Sequence, residues 1–266
     1  STLGRLIMRL EEPSEGSTSY VGKEITRIKR EDLRRLREEM QIIFQDPYSS
    51  LNPRYTVEQL IKEPLVIHNR GSRQFMRERV SLLTREVGLK EEHLGRYPHE
   101  FSGGQRQRIG IARALSLQPR LLICDEPVSA LDVSIQAQVI NLLQELQQKH
   151  GLTYLFISHD LSVVEHLCSR IAVMYLGKIV ELAETRALYE SAEHPYTKAL
   201  LAASPIPNPN LKRERIILQG DVPNPIDPPS GCAFHPRCPA AEATCSAETP
   251  PLAERTPGHW VRCFER

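Results

Sequence analysis

The first hydrophobic residues of the chain follow the spacing of a helix. Leu3, Leu6, Ile7 and Leu10 stand at positions i, i+3, i+4 and i+7, a spacing that places side chains on one helix face. No capping residue or turn precedes this pattern, although helices normally begin at one. We therefore predict a helix at the start of the chain with these four residues on its buried face.

Through the middle of the chain, short apolar runs alternate with helical patterns. The segments QIIF, LLICD and LTYLFI are typical of buried strands, and helices are predicted from about Val57 to Ser116, with breaks near Gly71, Gly88 and Pro98. The segment SIQAQVINLLQELQQKH predicts a longer helix, and IAVMYLGKIVELA predicts two strands around a glycine. Strands that alternate with helices indicate an α/β fold with a parallel sheet at its centre.

The composition of the chain changes near residue 205. The residues that follow hold most of the 20 prolines and four of the six cysteines, with little periodicity. We predict one domain over residues 1–204, followed by a Pro/Cys-rich C-terminal tail over residues 205–266.

Charge and hydropathy narrow the range of partners. The formal net charge is +1, so no overall field attracts the chain to nucleic acid or to an anionic membrane. A hydrophobic content of 40% is enough for a sizeable core, and no apolar run approaches the length of a bilayer-spanning helix. We therefore expect a cytosolic protein with no nucleic-acid partner.

Polar side chains follow three of the predicted strands. Asp125 and Glu126 come after LLIC, His159 comes after LTYLFIS, and Gln45 comes after QIIF. Ligands of parallel sheets bind outside the carboxyl ends of the strands, and adjacent carboxylates there suit a metal-bound phosphate site. Each signal alone has a structural alternative, because acidic residues also cap helices and a single histidine is often only a hydrogen-bonding residue.

The segment FSGGQRQRIGIARAL opens a helix with a hydroxyl and two glycines. Ser102, Gly103 and Gly104 would expose backbone N–H groups where the helix dipole favours negative charge. A serine N-cap followed by a glycine turn explains the short string equally well. The whole fifteen-residue string is too long to be explained by capping alone.

These motifs together resemble the ATP-binding subunits of ABC transporters, across nearly all of the chain. FSGGQ is similar to the ABC signature, with Phe where Leu is more common; LLICDE resembles the Walker B strand, SALD the D-loop, and QDP the Q-loop. The segments FQDPYSSLNPR and HPYTKALLAASP, with the cysteine-bearing tail, resemble the oligopeptide/dipeptide importer subunits. The resemblance implies a P-loop NTPase-like ABC ATPase core, with a helical subdomain at about residues 50–118.

The resemblance also implies a role for each residue at the strand ends. Asp125 would support Mg²⁺, Glu126 would polarise the attacking water, and His159 would contact the γ-phosphate of ATP. Gln45 would bind beside the nucleotide and its Mg²⁺ and link them to the helical subdomain. Such chemistry consists of positioning and charge neutralisation, which suits these residue types.

Residues of the signature and of the D-loop would act across a dimer. Ser102 and Gly104 would bind the γ-phosphate of ATP held by the opposite subunit, together with Gly103 and Gln105 of the same motif. Asp132 would help to couple the two sites.

The opening segment STLGRLI resembles the sequence that follows the lysine of a P-loop, which reads G-x-x-x-x-G-K-[ST]. Ser1 would then supply the hydroxyl that binds Mg²⁺, and Thr2 would lie beside the nucleotide. The glycine-rich loop and its lysine are not in the sequence. We expect a fragment of a longer gene product; the alternative is a degenerate, non-hydrolysing subunit that contributes its signature to a partner's ATP site.

The partners follow from the same resemblance. It implies a second ABC ATPase subunit, expected to be a paralogue, transmembrane permease subunits and, indirectly, an extracytoplasmic peptide-binding protein. The subunit would lie peripherally on the cytoplasmic side of the plasma membrane. An ABC protein that acts on DNA or ribosomes is the alternative, and the single nucleotide-binding half and near-neutral charge argue against it.

Four cysteines of the tail, with the spacing C-x₅-C-x₆-C-x₁₇-C, are candidate metal ligands: Cys232, Cys238, Cys245 and Cys263. This is not the paired C-x₂-C spacing of a zinc ribbon. Four thiols could hold an iron–sulfur cluster or a zinc ion, stay free, or form disulfides, and His235 and His259 could replace a thiolate on zinc. The resemblance favours a [4Fe–4S] cluster.

Overall fold

The computed structural model describes residues 2–204, Ile216 and 218–264. It divides the chain into two compact units, Ser1–His159 and Asp160–Arg266. Ser1, predicted to bind Mg²⁺, lies outside the described residues, as do residues 205–215 of the predicted tail.

The first unit alternates helices and strands as the sequence predicts. Its elements are α1 (Thr2–Ile7), β1 (Ser19–Tyr20), β2 (Lys23–Glu24), α2 (Arg30–Glu39), β3 (Met40–Ile43), α3 (Pro47–Ser50), α4 (Val57–Ile67), α5 (Arg73–Glu86), α6 (Gly103–Leu115), β4 (Leu121–Asp125), α7 (Val133–His150) and β5 (Thr153–Ile157). Short 3₁₀ turns at Glu91–His93 and Pro98–Glu100 separate α5 from α6.

The three apolar strands form the parallel sheet, in the order β3-β4-β5. Ile42 is level with Ile123, which is level with Leu155 on the next strand. Leu122, Ile123 and Cys124 of the central strand are fully buried, as expected for a parallel sheet covered on both faces. The carboxyl ends of β4 and β5 therefore meet at one edge, which brings Asp125 level with Ile157.

The buried face predicted at the start of the chain is wrong for two of its four residues. Leu3 and Leu10 are exposed, and Leu10 lies beyond the end of α1, whereas Leu6 and Ile7 are half-buried and Ile7 packs against the core. Gly4 is buried, and a Cβ on it would lie 3.2 Å from the side chain of Ile123. The missing side chain therefore lets the helix approach β4 closely, and the leucine periodicity does not register this contact.

Arginines from neighbouring helices cap the C-terminal ends of five helices in this unit. The last carbonyls of a helix have no partner within it, and arginine side chains can satisfy them. The guanidinium groups donate to carbonyl oxygens as follows: Arg37 to Met8 and Arg9 after α1, Arg113 to Ser50 of α3, Arg34 to Ile67 of α4, Arg108 to Val87 after α5, and Arg79 to Leu115 and Ser116 at α6. This pattern explains why Arg79 can be buried and Arg113 half-buried.

The second unit is built around an antiparallel sheet with the strand order β6-β7-β9-β8. Its elements are α8 (Leu161–Leu167), β6 (Arg170–Tyr175), β7 (Lys178–Glu184), α9 (Thr185–Ser191), α10 (Pro195–Ala203), α11 (Ala243–Ala247), β8 (Ala253–Thr256) and β9 (His259–Val261). The predicted strand pair around Gly177 is confirmed as the β6–β7 hairpin. Strands β8 and β9, near the C-terminal end, join β7 to complete the sheet.

Glu181 ties the end of the chain to this sheet. Its carboxylate is fully buried on β7 and accepts hydrogen bonds from the backbone N–H groups of Glu193 and His194. The ring Nε2 of His259 on β9 lies 2.7 Å from the same carboxylate. A buried carboxylate is tolerated only with such partners.

Among the helices that the structure describes, none is long and apolar enough to cross a membrane.

Candidate functional site

The backbone at Glu126 is strained. Strand β4 ends at Asp125, whose side chain is buried, and the next residue, Glu126, has a φ of 48°. This left-handed conformation is unfavourable for a residue with a side chain, and strain of this kind concentrates at functional sites. The Glu126 N–H donates to Ile157 of β5 at 2.9 Å, and the Ser129 hydroxyl donates to the Glu126 carbonyl at 3.1 Å. These bonds hold the turn that directs the Glu126 side chain.

Two of the predicted catalytic side chains, those of Gln45 and His159, contact the same carboxylate oxygen of the third, Glu126. Gln45 Nε2 donates to Glu126 Oε2 at 2.8 Å, and His159 Nδ1 lies 3.4 Å from the same oxygen. Glu126 comes from the end of β4, His159 follows β5, and Gln45 follows β3. The sheet therefore brings together residues that are far apart in sequence, as the strand-end argument predicts. Such a cluster can orient a water molecule and accept its proton.

An open cavity of about 430 Å³ lies at the same edge of the sheet, lined by Arg5, Leu10, Phe44, Gln45, Asp46 and Asp125. Mg²⁺ is usually held by one or two carboxylates together with substrate phosphates. Asp125, buried at the end of a strand and facing this cavity, fits that donor set. Thr2 is exposed at the start of α1, the helix that also carries Arg5.

The signature residues cap helix α6. Ser102 Oγ accepts a hydrogen bond from the Gln105 N–H, and Gln105 Oε1 accepts one from the Ser102 N–H, which is a capping box. The interpretation of this string as a helix cap is thus correct, and it is compatible with a phosphate-binding role. Ser102 and Gly103 are exposed at the positive end of the helix, where backbone N–H groups can receive a phosphate.

Asp132 caps helix α7 in the same way. Its carboxylate accepts hydrogen bonds from the Ile135 N–H at 3.1 Å and from the Ser134 hydroxyl at 2.9 Å. These bonds, with the Ile135 N–H first, hold the pKa of the exposed Asp132 carboxyl below its usual value. The start of α7 packs against the start of α6, where Leu131 and Ile135 face the two signature glycines.

Tyr48 and Arg106, which the sequence reasoning did not single out, form a contact beside the candidate residues of the Gln45 segment and of the signature helix. The guanidinium of Arg106 lies 4.8 Å from the centre of the Tyr48 ring, a cation–π contact between α6 and α3. Asp46, beside Gln45, caps α3 by accepting from the Tyr48 N–H, which lowers the pKa of the Asp46 carboxyl. The segment after Gln45 is thereby connected to the signature helix. An aromatic residue within QDPY and an arginine after GGQ were the only signals, and neither indicates a contact.

The four tail cysteines line one small cavity of about 20 Å³ in the second unit, beside Phe234 and His235. Burial raises the pKa of the Cys238 thiol, and the other three cysteines raise it further. Within the part of the chain that the structure describes, no three His, Cys, Asp or Glu side chains are placed to hold a metal ion. The donor set fits a metal centre, whereas the positions of the side chains do not form one. His259, a candidate zinc ligand, is instead engaged with Glu181.

Comparisons with known proteins agree with the geometry. The ABC transporter family matches residues 1–129, and the family called oligopeptide/dipeptide transporter, C-terminal region, matches residues 180–245. The oligopeptide transport ATP-binding protein AppF of Bacillus subtilis is 54% identical over 99% of this chain and 81% of its own length. A putative peptide import ATP-binding protein of Brucella ovis is 51% identical over 99% of this chain and 83% of its own length.

Two solved structures resemble the chain. One is the ATP-binding cassette MJ0796, a dimer in a post-hydrolysis state bound to ADP and Pi; it has a TM-score of 0.62, 28% identity, and a match over 70% of this chain and 80% of its own. The other is cbiO1 from Clostridium perfringens, part of the ABC transporter complex cbiONQ. It has a TM-score of 0.64, 28% identity, and a match over 71% of this chain and 74% of its own.

Proposed function

The chain belongs to the ABC-transporter family of ATP-binding proteins, and from this premise we propose that it is the ATPase subunit of a peptide importer. It couples the binding and hydrolysis of ATP to the passage of oligopeptides or dipeptides through a membrane permease. The observation that carries the proposal is the cluster of Gln45, Glu126 and His159 beside the buried Asp125. The relatives named for oligopeptide transport and peptide import support the substrate class.

Each residue of the cluster has a role that its position favours. Glu126 orients the attacking water and accepts its proton, while Gln45 and His159 hold the carboxylate from two sides. His159 also donates to the γ-phosphate when ATP is bound. Asp125 and Gln45, with the Ser1 hydroxyl, would hold Mg²⁺, and the ion would supply neutralisation of phosphate charge. Thr2 would lie beside the same nucleotide.

The signature is assigned to the ATP site of a second subunit. Ser102, Gly103, Gly104 and Gln105 form the start of α6, where the N–H groups of Ser102 and Gln105 are engaged in the capping box and those of the two glycines are the candidate phosphate donors. Asp132 lies at the neighbouring start of α7. The dimeric ATP-binding cassette among the similar structures supports such an assembly. We propose that the second ATPase subunit is a paralogue and that the two ATPases bind permease subunits. An extracytoplasmic binding protein would supply the permease with peptide. The subunit then lies peripherally on the cytoplasmic face of the membrane.

The domain division remains part of the proposal. Residues 1–204 would form the nucleotide-binding domain, with the helical subdomain at about residues 50–118, and residues 205–266 would form the C-terminal tail. The match of the oligopeptide/dipeptide C-terminal family to residues 180–245 supports a specialised segment in this region.

For the tail we propose an iron–sulfur cluster, with zinc as the alternative, because four thiols line one cavity. Anaerobic purification of the full gene product, followed by iron, zinc and sulfide analysis, tests the assignment. Stoichiometric iron and sulfide that are lost in Cys238→Ser support the cluster. Stoichiometric zinc without iron, or no metal at all, contradicts it. Cys168→Ser, in the same unit and outside the cavity, is the matched control.

Transport itself is the decisive test of the function. The full gene product, reconstituted with its permease in vesicles, should take up a labelled tripeptide when ATP is supplied and should release phosphate in proportion. A non-hydrolysable ATP analogue should support neither. Hydrolysis without peptide uptake, but with uptake of another solute, would retain the ATPase and reject the substrate class.

A further inference from the structure

The second glycine of the signature faces a side chain of its own chain. A Cβ built on Gly104 would overlap the Cγ2 atom of Ile135, and one on Gly103 would lie 3.3 Å from Leu131 Cδ2. Gly104 is buried. A methyl group at this position would therefore have to displace either Ile135 or the start of α6.

Backbone conformation does not explain why Gly104 lacks a side chain. Neither Gly103 nor Gly104 has the positive φ that favours glycine, and both lie in the regular helix α6. Glycine inside a helix is unfavourable compared with alanine. What requires glycine at position 104 is therefore space, and the space is occupied by Ile135.

Ile135 is in turn connected to Glu126 through a short run of contacts. Its N–H is held by the Asp132 carboxylate at 3.1 Å, and the preceding Leu131 N–H donates to Val128 at 3.1 Å. Ser129 is bonded to the carbonyl of Glu126 through both its hydroxyl and its N–H. The start of α7 is thus joined to the turn that carries Glu126 by successive local hydrogen bonds.

From these contacts we propose that Ile135 is a positioning residue for ATP hydrolysis. It fixes the start of α6, and so the phosphate-binding N–H groups of the signature, relative to the segment that follows Glu126. The inference rests on the proposed ATPase function. Ile135 would connect two sets of residues within one chain. One set, around Glu126, serves the chain's own nucleotide, and the other, the signature, contacts the nucleotide of the partner.

The test is a rescue experiment in the assembled ATPase. Gly104→Ala should lower kcat roughly a hundredfold, since displacement of binding groups by about 1 Å has an effect of that size. Adding Ile135→Ala removes the overlapping atom and should restore kcat to within about tenfold of wild type. Ile140→Ala truncates the same residue type on the same helix and should not rescue Gly104→Ala.

A second control separates packing from helix propensity. Gly110 lies in the same helix, and a Cβ there would meet no atom within 4 Å, so Gly110→Ala should leave kcat unchanged. Thermal melting of each variant establishes that it is folded. Should Gly104→Ala fail to fold, Ile135→Phe with Gly104 intact displaces α6 from the other side and should lower kcat similarly.

The outcomes distinguish the two proposals. A wild-type assembly that hydrolyses no ATP rejects the proposed function. An active wild type, in which the Gly104→Ala/Ile135→Ala double variant remains as impaired as Gly104→Ala, rejects the role of Ile135. That result would mean that Gly104 is needed only for close approach of the nucleotide. Normal kcat in Ile135→Phe would also reject it.

Discussion

The side-chain amide of Gln45 donates a hydrogen bond of 2.8 Å to the carboxylate of Glu126, although 81 positions separate the two residues. The bond joins the segment that leads into α3 to the turn at the end of β4. His159 approaches the same carboxylate oxygen at 3.4 Å. A carboxylate held from two sides has a defined orientation, and a general base requires one.

Glu126→Gln should abolish hydrolysis without abolishing ATP binding. The amide has nearly the same shape but cannot accept a proton, and loss of a positioned base lowers turnover by a factor of about 10² or more. Phosphate release and nucleotide affinity should be measured in the full gene product within its assembled transporter. Glu145→Gln, an exposed glutamate on α7, is the control. Undiminished hydrolysis in Glu126→Gln would remove Glu126 from its assigned role.

The strain at Glu126 should be visible in stability. Both Glu126→Gly and Glu126→Ala remove the carboxylate, but only glycine adopts a φ of 48° freely. We expect the glycine variant to have the higher free energy of unfolding, by about 1 kcal/mol. Denaturant unfolding of the two variants measures the difference. Equal stabilities would show that the turn relaxes and stores no strain.

Arg79 should be important for stability rather than for chemistry. Its guanidinium donates to the carbonyls of Leu115 and Ser116 at the end of α6, in a buried position. Arg79→Met fills similar volume but removes the guanidinium donor from both carbonyls, of which Leu115 keeps the Gln118 N–H as a donor; the loss should cost about 1–3 kcal/mol. Arg77 is an exposed arginine on α5, the helix that carries Arg79. Its substitution, Arg77→Met, should change the free energy of unfolding by less than about 0.5 kcal/mol. Similar losses in both variants would contradict the capping role.

His194 should make the second unit sensitive to acid. Burial lowers the pKa of its ring to about 4, against the opposing influence of Glu181, and Lys198 lowers it further. Between about pH 6.5 and pH 4, the unfolded chain therefore binds a proton that the folded chain does not. Stability should fall as the pH falls through this window, by roughly 3 kcal/mol in total, and this contribution should be fully present above pH 6.5.

The variant His194→Asn isolates this contribution. Asparagine retains an N-cap acceptor for the Tyr196 N–H, which His194 Nδ1 now accepts, and it does not titrate. Unfolding measured at several pH values should show a shallower loss of stability between pH 6.5 and 4 than in wild type. Identical slopes in the two proteins would assign the acid sensitivity to other groups.

Local chemistry in the sequence determined much of this protein. The apolar runs specified β3, β4 and β5, because a strand buried on both faces needs continuous apolar residues. The motifs LLICDE, QDP and FSGGQ placed the candidate residues, because phosphate chemistry requires carboxylates, amides and helix N-termini in fixed local order. The strand-end rule then correctly predicted that Gln45, Glu126 and His159 would converge.

Only the tertiary structure decided which atoms touch. The periodicity at the start of the chain wrongly predicted that Leu3 and Leu10 are buried, because Gly4 makes the close contact with the sheet and a hydropathy pattern does not reveal a missing side chain. The arginines that cap helix ends, the Tyr48–Arg106 contact and the Gly104–Ile135 contact join residues between 21 and 63 positions apart. Such contacts depend on how helices pack, and packing is set by the shapes of many side chains at once rather than by any local pattern.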